Sequence, residues 1–126
     1  MTPPAARTEL VVADAVVAGV AAWAATRVAG VVRVEPGLRG LVAGLSRAGK
    51  QLWSGYETAT TEGVRVRREP AGALGVQLEL AIGADQSAAL VGAAVQRAVI
   101  DTVRDRTGVV VDEVSVTIVD MEPGAR

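Results

Sequence analysis

The chain has no cysteine, no histidine and no phenylalanine among its 126 residues. Each absence removes a class of chemistry. Without cysteine there is no disulfide, no thiolate nucleophile and no thiolate metal ligand. Without histidine the commonest general base and transition-metal ligand is missing. Hydrolytic or metal-dependent chemistry would have to run on carboxylates, hydroxyls, one tyrosine and the single Lys50. The expectation is therefore a non-enzyme, with no catalytic residues, no cofactor and no metal. Aromatic side chains are also scarce, with one Tyr and two Trp. The core has to be built from Val, Ala, Leu and Ile, and a sheet platform that stacks bases has little to be made from.

Charge is nearly balanced, with 13 basic and 14 acidic residues and a net charge of −1. A nucleic-acid binder usually carries a basic excess, so nucleic acid is not the expected partner. Long hydrophobic runs are missing too. Residues 10–25 are the nearest approach, but Glu9 and Asp14 sit where a signal peptide needs basic or apolar residues. The run is also short of the roughly 20 residues of a spanning helix. No G-x-G-x-x-G or P-loop pattern occurs, so nucleotide binding has no motif behind it.

What is present is patterning. Val76, Leu78, Leu80 and Ile82 alternate with Gln77, Glu79 and Ala81, the period of a half-buried strand. From Asp85 to Thr107 the spacing becomes helical, with Val91, Val95, Ala98, Val99 and Val103 on one face and Asp85 or Ser87 as the cap. Gly108 ends that helix, and a strand from Val110 to Val119 follows. Upstream, Val64 and Val66 alternate with Arg65 and Arg67 and form a hairpin with the 76–82 strand through the Glu69–Gly72 turn.

A first helix is predicted from about Val12 to Ala29, ended by Gly30. Val12, Val16, Val17, Val20, Trp23 and Val28 fall on one face of it, and Asp14, Ala15, Ala18, Ala22 and Ala25 on the other. The methyl-rich face is either a surface for close helix approach or a solvated face of good helix formers.

Residues 1–8 read as a disordered leader, 9–120 as one domain and 121–126 as a tail, a length suited to a single core. Within the domain, residues 31–62 form an irregular linker. Val31 to Val34 is either a short strand or a lead-out, and residues 54–63 a polar loop. The predicted fold is α+β in the order α-β-β-α-β, a three-stranded sheet with two helices on one face and a right-handed crossover to the last strand. The other face would present Arg65, Arg67, Gln77, Glu79, Ser115 and Thr117, with Arg–Glu cross-strand pairs available.

Local motifs add little chemistry. Segment 38–53 is basic and amphipathic, with a leucine stripe, Trp53, and Arg39, Arg47 and Lys50 off the apolar arc. It packs on the domain's own core, rests on a partner or membrane surface, or stays unordered. Gly37-Leu-Arg-Gly40 matches the GxxG of KH domains, but it precedes the hairpin rather than following it. Asp112 and Glu113 point to opposite faces of a strand and cannot act as a pair.

Six stretches resemble the bacterial alkaline shock protein, or envelope stress response, family. They are ELVVADAVV from Glu9, AAWAATRVAGV from Ala21, GVRV from Gly63, LELAIG from Leu78, VQRAV from Val95 and RTGVVVDEVSVTIV from Arg106. Together they lie within residues 9–32 and 63–120. Two departures stand out: Ile82-Gly-Ala-Asp-Gln-Ser replaces the family's Tyr-Gly-Val and Ile-Pro element, and Ser115-Val-Thr-Ile replaces Asn-Val-His-Val.

The resemblance implies a small, non-catalytic protein of cell-envelope homeostasis, cytoplasmic and peripheral at the inner face of the membrane. It also implies self-association as a homo-oligomer and a small membrane-anchoring protein as partner. The interaction surface expected on that basis comprises Ala15, Ala18 and Ala22 of the first helix, Arg39, Arg47, Lys50 and Trp53 of the linker, and Arg65, Arg67 and Glu79 of the hairpin. The alternative is a KH-like RNA-binding module using Arg39, Arg47, Arg65 and Arg67 on phosphates.

Overall fold

The computed structural model describes residues 5–35, 56–61 and 63–123, with the backbone alone for 56–61. Its order is α1 (Asp14–Thr26), β1 (Val31–Val34), β2 (Tyr56–Thr61), β3 (Val64–Arg68), β4 (Leu74–Gly83), α2 (Ala88–Thr107) and β5 (Glu113–Glu122). The class is α+β, as expected. Among the described residues, however, the sheet has five strands rather than three.

β4 organises the sheet because everything except β2 pairs with it. β5 runs parallel along one edge from Gly75 to Gly83. β3 and β1 share the other edge, both antiparallel, with β3 on Leu74 to Leu78 and β1 on Leu80 to Ile82. Glu79 is the joint between them. Its N–H donates to the Gly63 carbonyl at 3.1 Å, and its carbonyl accepts from the Glu35 N–H at 2.8 Å. The end of β1 thus abuts the start of β3, and Gly63 sits at that junction with φ +76°. A Cβ there would run into Val34 and the Glu35 backbone.

β2 pairs only with β3, with Ala59 opposite Val66 and Thr61 opposite Val64. This strand replaces the polar loop expected at 54–63. Its YETATT sequence has the β-branched residues a strand favours but lacks large apolar side chains to reveal the period. β5 runs from Glu113 to Glu122, three residues later at each end than the predicted Val110–Val119. Its Val119 is an extra residue, since Leu80 pairs with Ile118 and Ala81 with Asp120.

The helices cover one face. α2 buries Val91, Val95, Val99 and Val103, a strict four-residue stripe. Its start is capped by Ser87, whose hydroxyl accepts from the Leu90 N–H at 3.2 Å. It ends at Gly108, whose left-handed φ of 78° lets its N–H reach the Arg104 carbonyl at 2.8 Å.

α1 is shorter than the predicted Val12–Ala29. Its last helical residue is Thr26, its C-cap is Arg27, and Gly30 lies in the turn to β1. Its buried side draws on both faces read from the sequence, Val17 from the valine face and Ala18 and Ala25 from the methyl-rich one. Val17, Ala18, Ala21, Ala24 and Ala25 are buried, whereas Val16 and Trp23 are 49% and 45% exposed. The reason is steric. α1 is wedged against β1, β2, β3 and α2, and only methyl-sized side chains let a helix approach that closely. The core is then Val17 and these alanines against Val64, Val66, Leu74, Val76, Leu78, Leu80 and Ile82. Each large side chain so buried contributes on the order of 1.5–3 kcal/mol.

Candidate functional site

The outer face of the sheet is held together by polar pairing between its own side chains. Arg65 donates to the Gln77 amide oxygen, its cross-strand partner, and Arg67 pairs with Glu69. Glu79 is 4% exposed. Higher up, Arg33 lies opposite Ala81, which in turn lies opposite Asp120. The Arg33 guanidinium spans this small residue, bonding Glu35 at 2.8 Å and Glu122 at 2.5 Å, with Asp120 at 4.0 Å. Hydrogen bonding to Glu35 and then Glu122 raises the Arg33 pKa above its already high ordinary value. Asp120 and Glu122 of β5 are thus engaged in holding strands together. Among the described residues, no three His, Cys, Asp or Glu side chains gather closely enough to hold a metal ion.

The remaining residues expected at an interface are scattered. Ala15 is exposed, Ala22 is half-buried, and Ala18 is sealed in the core. They form no common free face. Arg39, Arg47, Lys50 and Trp53, with the Gly37–Gly40 motif, lie outside the described residues.

What the fold does assemble is a groove between α1 and α2. Trp23, Ala24, Arg27 and Val28 line it from α1 and the turn after it. Ala98, Thr102, Asp105 and Arg106 line it from α2. It encloses about 320 Å³ and continues past Trp23 along Gly19 and Val20. The Arg27 and Arg106 guanidinium carbons lie 4.8 and 5.3 Å from the centre of the indole ring. Each such cation–π contact stabilises by about 0.5–1 kcal/mol at an exposed site.

Both arginines stand near helix C-termini, where the dipole favours a cation. That placement accounts for their charge but not for the half-exposed tryptophan between them. Trp and Arg are the side chains that dominate association energies. The sequence signal for this site was the four-residue spacing of Trp23 and Arg27. It was overlooked because Trp23 was grouped with valines taken as one face of the helix. Arg106 carried no signal at all, since only the packing of α2 on α1 brings it there.

The site is thus an aromatic-centred groove between α1 and α2, with two guanidiniums and the Asp105 carboxylate in its lining. A family model matches the chain over residues 3–123, and the chain belongs to that family, the alkaline shock proteins, described as having a cell envelope-related function. Neither the curated proteins nor the solved structures contain a match to the chain.

Proposed function

We propose that the protein is a non-catalytic scaffold of cell-envelope homeostasis that works by self-association and by holding a small membrane-anchored partner at the inner face of the membrane. The observation that carries this reading is the family match across residues 3–123. The half-exposed Trp23, flanked by two arginines, supports it by offering a contact surface.

The attachment is indirect in this reading. Among the described residues no helix is long and apolar enough to cross a membrane. The 13 residues of α1 rise only about 20 Å at ~1.5 Å each, against a hydrocarbon core of ~30 Å. α2 carries Arg97, Asp101, Arg104, Asp105 and Arg106. In this reading a second chain supplies the span. The KH-like alternative gains no support from the family match.

The test is capture of the tagged full chain, after brief cross-linking, from membrane and non-membrane fractions of the native cell. Enrichment of a small membrane-spanning protein in the first fraction is expected. Equal partitioning of the bait with no membrane protein enriched would overturn the reading.

A further inference from the structure

Two surfaces of the described chain are left without a companion, and they are complementary. One is the Trp23 groove with Arg27 and Arg106, neither of which has a carboxylate within 4.0 Å among the described residues. The other is the segment ahead of α1, which has no regular secondary structure. There Leu10 and Val11 are 82% and 77% exposed, directly after Glu9. These are the most exposed large hydrophobic side chains of the described residues. An acidic group followed by two apolar side chains is the chemistry that a groove of two guanidiniums around an indole would recognise.

We infer that the groove between α1 and α2 is filled by the Glu9-Leu10-Val11 segment of a second copy, with Glu9 between Arg27 and Arg106 and Leu10 against Trp23. This rests on the self-association part of the scaffold reading and gives it a contact. The chain's own segment is poorly placed to serve. From Asp14, Arg27 lies about 20 Å along the helix at ~1.5 Å per residue. Glu9 lies only five residues on the other side of Asp14. Even fully extended, that backbone covers at most about 17 Å, part of which a reversal would consume. The contact is heterologous, one surface of each copy meeting a different surface of the next. Repetition of such a contact gives a ring or an open chain, an arrangement suited to a scaffold.

The test is a charge exchange in the full chain, read as assembly by sedimentation velocity from about 1 μM to about 1 mM. E9R places a cation opposite cations, and the double variant R27E/R106E places an anion opposite anions. Each alone is expected to weaken assembly at least about tenfold, as reversal of a close interfacial charge pair does. Mixed together, the two variants are complementary at both contacts, and assembly should return. L10D, in a segment with no regular structure to disturb, should weaken assembly as well while leaving the circular dichroism spectrum unchanged.

Wild-type-like assembly of E9R, or folded variants whose mixture fails to recover, would overturn the inference. So would a wild-type chain that stays monomeric throughout. If that monomer still captured a membrane protein, the docking contact would fall while the scaffold role remained.

Discussion

Asp112 and Leu74 are joined twice. The Asp112 carboxylate accepts from the Leu74 N–H at 2.7 Å, and the Asp112 N–H donates to the Leu74 carbonyl at 2.8 Å. This pair sits where β5 first meets β4, just before their parallel register begins at Gly75 and Glu113. D112A removes the side-chain half of the clamp and leaves the Leu74 amide dependent on water. The expected loss is about 1 kcal/mol, a fall in Tm of roughly 3–6 °C for a chain of this size. The Leu74 amide should also exchange faster with solvent. Unchanged protection at Leu74 would show that β5 is registered by α2 packing alone.

Gly63 and Gly72 both adopt positive φ, at +76° and +97°, yet they should respond differently to alanine. At Gly72 nothing lies within 4 Å of an added Cβ, so G72A costs only backbone strain, about 1 kcal/mol. At Gly63 the Cβ meets Val34 and the backbone of Glu35, where two strand ends abut. Strain and overlap together should cost at least about 2 kcal/mol. Urea midpoints of the two variants decide the matter. Equal midpoints would mean that the β1–β3 joint yields freely.

How much of this was visible beforehand depended on side-chain size as much as on period. The valines at 91, 95, 99 and 103 and the alternation from Val76 to Ile82 each have an apolar face and a polar one, so α2 and β4 were legible. α1 has no such contrast: valine and alanine surround it, and periodicity cannot choose between two apolar faces. Steric fit chose the smaller side chains. β2 was hidden because the residues paired with Val66 and Val64 are Ala59 and Thr61, too small or too polar to mark a strand. The groove joins residues from two helices far apart in the chain, so no local pattern contains it. Its half-exposed tryptophan is a tertiary fact.

The alanine face of α1 gives a direct test of that steric argument. Ala18 and Ala21 are fully buried, whereas Ala15 is exposed one turn earlier. A18L or A21L would force extra methylenes between α1 and its neighbours, at about 1–3 kcal/mol each. A15L should be close to neutral, because leucine is nearly as good a helix former as alanine. Thermal melts of the three variants are sufficient. A stable A18L protein would mean that α1 can lift away from the sheet.

The ion pairs predict a particular response to alkali. Every cation in the described ion pairs is arginine, as at Arg33 with Glu35 and Glu122 and at Arg68 with Asp14, 2.6 Å away. Hydrogen bonds to these carboxylates raise both guanidinium pKa values. A pKa raised on folding contributes stability that is complete below the unfolded value and lost only as pH climbs through the folded one. For arginine that window lies beyond any working pH. In R33K it moves down, since an ammonium ordinarily titrates near ~10.4. R33K should therefore sit a small, constant interval below wild type in Tm from pH 7 to about pH 9. The interval should widen toward about pH 11 as the ammonium loses its proton and Glu35 and Glu122 lose their shared cation. A gap of the same width at all three values would show that Arg33 holds β1 to β5 by its shape and not by its charge.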